Sequence, residues 1–242
     1  MTRLFTFFLI VNLFFSCSEN SLQNQKPAQV INLESEALLA KLETNKGVIL
    51  DVRTKEEVAN GYLIDASFID FYDSKFDIKA SWIKKNQPIY VYCHAGGRCA
   101  KAAEKLIELG FNEVYNLSGG YSNWKSSGYP IKQGLEINVK DYKLYNSKQI
   151  DDILNSNDHT LLVFKTPWCL PCKQLDPVLA EFSKLNDDWK VLIINMDANP
   201  KLAESYNVSS VPSLIAFNRE KSYFRNVGFL GINELNNAVL EN

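Results

Sequence analysis

The sequence lacks a basic run and any strong excess of charge. Its 26 Lys and Arg residues face 28 Asp and Glu residues, which leaves a formal net charge of −2. Nucleic acid is therefore not an expected partner, since binding it requires a basic patch or stripe. Low-complexity character is also absent, with 11 Gly and 8 Pro against 46% hydrophobic residues. We expect a folded protein, and 242 residues suggest one large or two compact domains.

The apolar stretch at the N-terminus is too short for a membrane span. Residues 4–15 are mostly apolar but include Thr6 and Asn12, whereas a span needs about 20 apolar residues. Arg3 precedes this stretch and a polar segment, 18–26, follows it. This order of segments is typical of a signal peptide.

The segment FFSC, residues 14–17, resembles a bacterial lipobox, in which the cysteine receives a lipid and becomes the mature N-terminus. The resemblance implies a signal peptide at 1–16, a tether at 17–28 and lipid attachment at Cys17. Ordinary secretion with cleavage elsewhere and an uncleaved anchor are the alternatives, and all three export the protein. We expect it in the cell envelope or periplasm, held to a membrane by its lipid, with the choice of inner or outer membrane open.

Beyond Cys17 the sequence has only four cysteines, namely Cys93, Cys99, Cys169 and Cys172. In an oxidising compartment, thiols at these spacings either form structural disulfides or take part in redox chemistry.

Strand-like apolar runs alternate with helical patterns in both halves of the chain. The first half has expected strands at 48–52, 89–92 and 114–117 and expected helices at 35–42 and 99–109. The second half has expected strands at 161–164, 191–196, 213–217 and 223–227, and expected helices at 147–154, after Cys172 and at 233–240. This alternation predicts an α/β protein with a parallel sheet covered by helices on both faces.

Cys93 ends an apolar strand, and the loop HAGGR, residues 94–98, leads into a helix. Backbone N–H groups at a helix start can turn inward around one atom, and Gly96 and Gly97 permit the positive φ that such a ring of amides needs. These amides and Arg98 should stabilise a thiolate at Cys93 and lower its pKa. Cys93 is thus a candidate nucleophile, and the same cradle would hold a persulfide. The alternatives are a buried strand-end thiol and, for Arg98, a surface charge.

Residues 29–132 resemble the rhodanese family. The resemblance rests on four pieces in the family's order: DVRT at 51–54 with Glu57 and Gly61, the loop at 93–98, LSGG at 117–120 with Trp124, and GYP at 128–130. It implies sulfur transfer, in which Cys93 takes a sulfane sulfur from a small donor and passes it to a nucleophile.

The resemblance also implies roles for the loop around Cys93. Arg98 would be catalytic, and His94, Ala95, Gly96 and Gly97 would form the substrate-binding loop. His94 is either a solvated residue or a proton donor. Cys99 either begins the helix as a small residue or acts as a resolving thiol for Cys93, six residues away.

The segment WCLPC, residues 168–172, follows a buried strand and opens a helix. Two intervening residues on a helical turn let both sulfur atoms meet. Cys169 lies at the positive helix end, so we expect it to be the exposed attacking thiolate, with Cys172 as the resolving thiol. Zinc is the alternative, but it needs two more ligands, and neither His159 nor another cysteine pair is suitably spaced.

Residues 138–242 resemble thioredoxin. WCLPC is followed by Pro177, DANP at 197–200, SVPS at 210–213 and a Val-Gly pair at 227–228. The resemblance implies a cis peptide bond between Val211 and Pro212, placed against the cysteine pair, and a groove there for a partner's extended chain, with Trp168 beside it. The alternative for Pro212 is a simple strand-initiating proline.

Together these patterns predict an α/β fold of two domains, a rhodanese-like parallel-sheet domain at 29–132 and a thioredoxin-fold domain at 139–242, joined by a linker at 133–138. The predicted function couples a Cys93 persulfide or disulfide to a thioredoxin-type dithiol. Its expected partners are protein thiols and disulfides and small sulfane-sulfur donors, and the oligomeric state is open. No cofactor is expected, since no phosphate-type glycine fingerprint or metal-ligand set is present.

Two alternatives to this coupled function stay open. One is a general envelope thiol-disulfide oxidoreductase with an independent sulfurtransferase domain. The other uses the rhodanese-like domain as a module that docks partners.

Overall fold

The computed structural model describes residues 29–134 and 143–240, called here the first half and the second half. The predicted signal peptide, the lipid site at Cys17 and most of the predicted linker lie outside these ranges.

A five-stranded parallel sheet, with strand order β1-β6-β5-β2-β4, forms the centre of the first half. A short antiparallel pair, β3 with β7, lies beside it. The strands are β1 (Gln29–Leu33), β2 (Val48–Asp51), β3 (Tyr62–Leu63), β4 (Ala66–Phe68), β5 (Ile89–Tyr92), β6 (Glu113–Leu117) and β7 (Ile131–Lys132), and the helices are α1 (Ser35–Thr44), α2 (Lys55–Ala59), α3 (Phe76–Ser81), α4 (Gly97–Glu108) and α5 (Gly120–Ser126).

The second half contains a four-stranded sheet with strand order β11-β10-β8-β9. Strands β8 and β9 are parallel, and β10 is antiparallel to both β8 and β11. The elements are α6 (Ser147–Ser156), β8 (His159–Lys165), α7 (Leu170–Leu185), β9 (Trp189–Asn195), α8 (Pro200–Ser205), β10 (Ser213–Asn218), β11 (Lys221–Val227) and α9 (Ile232–Leu240). The predicted two-domain α/β fold is confirmed.

The continuous apolar runs form strands that are buried on both faces. In β5, Tyr90 and Tyr92 pack into one cluster of buried side chains, while Ile89 and Val91 pack into another. Successive side chains of a strand point to opposite faces. A run without polar residues therefore fits a parallel sheet that helices cover on both sides.

Two helices begin earlier than the sequence predicted. α4 begins at Gly97 rather than residue 99, because Gly96 takes a positive φ of 109° and turns the chain directly into the helix. α7 begins at Leu170, before Cys172 rather than after it, and Cys169 is its N-cap. The Cys169 sulfur accepts the N–H of Cys172 at 3.2 Å, which satisfies one of the free donors at the helix start.

A buried ion pair closes the end of β2, next to the strand that carries Cys93. The Arg53 guanidinium donates to the Asp51 carboxylate at 2.6 to 3.0 Å and to the carbonyl of Gly61 at 2.7 Å. Arg53 is only 1% exposed and Asp51 is fully buried. The ring of Tyr121 in α5 lies 4.1 Å from the guanidinium carbon. This pair ties β2, the loop before β3 and α5 together, and its stability depends on both charges being present.

Candidate functional site

Cys93 lies immediately after β5, at the carboxyl edge of the first sheet, and its loop runs into α4. Of the two loop glycines, Gly96 has the predicted positive φ and Gly97 does not, so the turn needs one glycine rather than two. The N–H of Gly96 donates to the Cys93 sulfur at 3.2 Å.

The environment of Cys93 favours its thiolate. The Cys99 thiol is the main cause that lowers the pKa of Cys93, to about 5, and the backbone N–H groups of Cys99, Gly96 and Ala95 act in the same direction. Burial opposes them, because it penalises a charge. The predicted backbone amides therefore surround Cys93, but the lowered pKa depends first on the Cys99 thiol, whose role the sequence left open.

The start of α5 is hydrogen-bonded to the backbone of the Cys93 loop and holds the loop in place. The N–H groups of Tyr121 and Ser122 donate to the carbonyls of Cys93 and His94 at 2.8 and 3.0 Å. Gly120 has a φ of 58°, and a Cβ there would lie 2.4 Å from the Cys93 carbonyl oxygen. A residue larger than glycine would push the loop away. In the sequence this glycine stands out only as part of the LSGG motif, and its role in positioning Cys93 was not predicted.

Arg98 forms an ion pair with the carboxylate of Glu57. Its guanidinium donates to both oxygens of Glu57 at 2.6 Å, and this contact is the main cause that lowers the pKa of Glu57 to about 2. The sequence predicted that Arg98 would help to stabilise the thiolate, and it did not predict this carboxylate partner. The bidentate pair uses two of the guanidinium's five N–H donors, and the negative charge of Cys93 also contributes to raising the pKa of Arg98.

His94 and Cys99 lie on opposite sides of the loop. The His94 side chain is 57% exposed, and its Nε2 lies 3.2 Å from the Ser122 hydroxyl. Cys99 is fully buried in α4, with its sulfur 3.0 Å from that of Cys93 and 3.2 Å from the Gly96 carbonyl oxygen. The structure therefore brings the candidate resolving thiol into contact with Cys93 and leaves His94 at the rim.

The thiolate of Cys93 should titrate far below an ordinary thiol. Ultraviolet thiolate absorbance of the Cys17→Ser chain, with the Cys169–Cys172 disulfide intact, should rise with a midpoint near pH 5. Cys99 stays protonated over this range because sharing its proton with Cys93 raises its pKa. Cys93→Ser should remove the transition, and a midpoint near the usual value of about 8.5 would contradict the amide cradle.

The second candidate site is the cysteine pair at the start of α7. Cys169 and Cys172 form a disulfide. The peptide bond between Val211 and Pro212 is cis, as the resemblance implied. The indole N–H of Trp168 donates to the Asp197 carboxylate at 3.0 Å, which fixes the ring, and burial raises the pKa of that carboxyl.

The first half covers this second site through β4. The Phe68 N–H donates to the Trp168 carbonyl at 3.2 Å, and the Leu170 N–H donates to the Ser67 hydroxyl oxygen at 2.9 Å. Because β4 is an edge strand, Trp168 occupies backbone positions that would otherwise be open on that edge.

A second contact between the halves involves Trp82, which follows α3. Its carbonyl accepts the N–H of Val211 at 3.0 Å. Its indole stacks on that of Trp168, with ring centroids 6.5 Å apart and planes 10° apart. Trp82 therefore lies against the residue before the cis proline, where the resemblance places a partner's extended chain.

These contacts correct the expectation that Cys169 is exposed. Cys169 is only 3% exposed, and Cys172 is fully buried. All four cysteines of the described halves belong to one cluster of buried side chains that spans both halves. The roles of Ser67, Phe68 and Trp82 were not predictable, because no local pattern in the sequence shows which surface of one domain will meet another.

Cys93 and Cys169 lie at the same end of the first sheet. Tyr92, Asp51 and Phe68 form one row across β5, β2 and β4. Since neighbouring strands are about 4.8 Å apart, Phe68 lies roughly 10 Å from Tyr92. The second half is bound at the outer side of this row, so its disulfide lies beyond β4 and along the edge from the Cys93 loop.

Within residues 29–134 and 143–240, no helix is both long and apolar enough to cross a membrane. The same part of the chain contains no group of three or more His, Cys, Asp and Glu side chains that could bind a metal ion.

Comparison with known proteins matches each half separately. The family model for rhodanese-like domains matches residues 34–127, and the thioredoxin model matches residues 142–241. A sulfurtransferase of Allochromatium vinosum is 34% identical over 103 residues, covering 42% of this chain and 94% of the relative. A thioredoxin of Mycoplasmoides gallisepticum is 30% identical over 90 residues, covering 37% of this chain and 90% of the relative. A crystal structure of a rhodanese-like domain protein from Staphylococcus aureus is 34% identical, with a TM-score of 0.37, covering 43% of this chain and 99% of that one.

Proposed function

Because the chain belongs to the thioredoxin family in its second half and carries a rhodanese-like domain in its first, we propose that it is an exported enzyme that reduces sulfane sulfur. Cys93 accepts a sulfur atom from a small donor as a persulfide, or forms a disulfide. The dithiol form of Cys169 and Cys172 then reduces that group. The acceptor of the electrons and the reductant are thus parts of one chain.

The observation that carries this proposal is the docking of the second site on the first half. Phe68 binds the backbone of Trp168, directly before the Cys169–Cys172 pair, and Trp82 binds the backbone of Val211, directly before the cis proline. A thioredoxin-type groove binds its substrate as an extended chain beside the cis proline, and here the first half supplies that contact. This arrangement favours the first half as the internal partner of the second.

The chemistry balances without any further cofactor. The Cys169 thiolate attacks the outer sulfur of the Cys93 persulfide and takes it, leaving Cys93 as a thiolate. Cys172, which starts as a thiol, then attacks the inner sulfur on Cys169 and forms the Cys169–Cys172 disulfide, and the outer sulfur leaves with the Cys172 proton as hydrosulfide. The sulfane sulfur gains two electrons and the two thiols lose them. An external dithiol returns the pair to its reduced form.

Transfer between the two sites includes a movement of the second half. The Cys93 loop follows β5, whereas Trp168 is bound at β4, which lies two strands away, or roughly 10 Å along the row. We propose that the second half leaves β4 and approaches the loop along the same edge, which breaks the hydrogen bonds at β4 and at Trp82 and separates the buried cluster that the two halves share.

The test follows the oxidation of the second pair. Fully reduced protein is given one equivalent of glutathione persulfide, a donor that leaves as glutathione, so that any sulfide arises from the protein. We expect the pair to oxidise in the native chain and at least about tenfold more slowly in Cys93→Ser, which lacks the accepting thiolate. Trypsin cuts after Lys165 and Lys173, so one peptide, 166–173, reports both thiols by mass.

Two outcomes would contradict the coupling. If the pair stays reduced while Cys93 carries the added sulfur, the two domains act independently. If the pair oxidises equally fast in Cys93→Ser, the donor reacts with the second half directly.

The proposed location is the cell envelope, with a lipid on Cys17. The order of charged, apolar and polar segments and the FFSC sequence support it.

A further inference from the structure

We propose that Cys93 and Cys99 form a second redox pair, in which Cys99 attacks the sulfurated Cys93 and expels sulfide inside the first half. This inference rests on the proposed function, because it starts from the Cys93 persulfide. It makes the first half a reductase of its own persulfide rather than only a carrier that hands sulfur to an acceptor.

The distance between the two sulfur atoms carries the inference. They lie 3.0 Å apart, about 1 Å more than the roughly 2.05 Å of a disulfide bond. Both residues are buried, and both atoms are free thiols. Bond formation therefore needs a small displacement of two side chains rather than an unfolding of α4.

The backbone around the pair distinguishes the two thiols. Amide N–H groups point at Cys93, whereas the Cys99 sulfur lies 3.2 Å from the Gly96 carbonyl oxygen, which can only accept a hydrogen bond. The negative charge therefore resides on Cys93 and the proton on Cys99. A small residue that merely fills space at the helix start would not need a thiol at this point.

The step conserves atoms and electrons. Cys93 first takes a sulfur atom from a low-molecular-weight persulfide, which leaves as its thiol. Cys99 then attacks the inner sulfur of the Cys93 persulfide, from the side opposite the outer sulfur. The outer sulfur leaves as hydrosulfide with the proton of Cys99, and a Cys93–Cys99 disulfide forms. The sulfane sulfur is reduced by two electrons, and the two cysteines are oxidised by two.

The disulfide formed in the first half is a substrate for the dithiol of the second half. A disulfide between Cys93 and Cys99 is reduced by thiol–disulfide exchange, with Cys169 attacking one of its sulfurs and Cys172 resolving the mixed disulfide. The substrate class of the whole enzyme would then be persulfides and polysulfides, with sulfide as the product.

The test uses the full chain with Cys17→Ser, Cys169→Ser and Cys172→Ser, so that only Cys93 and Cys99 carry thiols. After one equivalent of glutathione persulfide, we expect about one sulfide per chain. Trypsin cuts between the two cysteines, after Arg98, so the disulfide would link peptide 86–98 to peptide 99–101. The linked pair is then visible by mass and separates on reduction.

Adding Cys99→Ser to this chain should lower sulfide release at least about tenfold and leave the extra sulfur on Cys93. Serine keeps a hydroxyl donor beside Cys93, so loading itself should persist. Cys99→Ala is the second variant, and the sulfur gained by Cys93 reports in either chain that the site is folded.

The results separate this inference from the proposed function. Equal sulfide release with and without Cys99, or a persulfide that persists on Cys93 while Cys99 is present, would overturn the inference alone. In either case the oxidation of peptide 166–173 still decides whether the two halves are coupled. If Cys93 gains neither sulfur nor a disulfide in the chain that keeps both Cys93 and Cys99, this inference and the proposed function are both overturned.

Discussion

Replacing Trp82 with alanine should speed the reduction of an external protein disulfide about 30-fold. Trp82 stacks on Trp168 and holds its carbonyl against the N–H of Val211, so it covers the groove beside Cys169. A tryptophan that is a hot spot of an interface contributes about 2 kcal/mol or more, and 2 kcal/mol corresponds to roughly 30-fold in a docking equilibrium. Because Cys169 is 3% exposed in the docked arrangement, an outside substrate has to displace the first half.

Insulin turnover with a chemical dithiol as the electron source measures this effect. Tyr72→Ala is the matched control, because it removes an aromatic side chain of the same half that is 70% exposed, and it should leave the rate unchanged. An unchanged insulin rate would mean that the docked first half does not limit access to Cys169.

Replacing Asp51 with alanine should lower the free energy of unfolding of the first half by about 3 to 5 kcal/mol. The change leaves the Arg53 guanidinium buried without its carboxylate, and an uncompensated buried charge is strongly destabilising. The loss should exceed that from breaking an exposed pair, for which about 0 to 1 kcal/mol is usual.

Urea denaturation, with a separate transition fitted for each half, measures the difference. Asp77→Ala is the matched control, because it removes the carboxylate of the exposed Lys105–Asp77 pair. The double variant Asp51→Leu/Arg53→Met removes both buried charges and should regain much of the lost stability. If Asp51→Ala and Asp77→Ala lower the free energy of unfolding equally, the buried pair contributes no more to stability than the exposed one.

Local sequence patterns were enough to predict the two candidate sites and the order of the two domains. Cys93 at the end of an apolar run, the loop that follows it and the WCLPC segment are local patterns, and each acts through backbone amides within a few residues of its cysteine. Period and composition also placed the main strands, since a parallel sheet covered on both faces requires uninterrupted apolar runs. The short helices α2, α3, α5 and α8 carry too few residues for a repeating apolar pattern and were not predicted.

Tertiary structure alone decided which groups meet across the chain. It joined Arg98 to Glu57, 41 residues away, and set Gly120 behind Cys93. It also bound the groove beside Cys169 to Trp82 and Phe68, and so buried a cysteine that its position at a helix start suggested was open to solvent. Such contacts depend on where whole surfaces come to lie, and a pattern that repeats every two or 3.6 residues carries no information about the element packed against it.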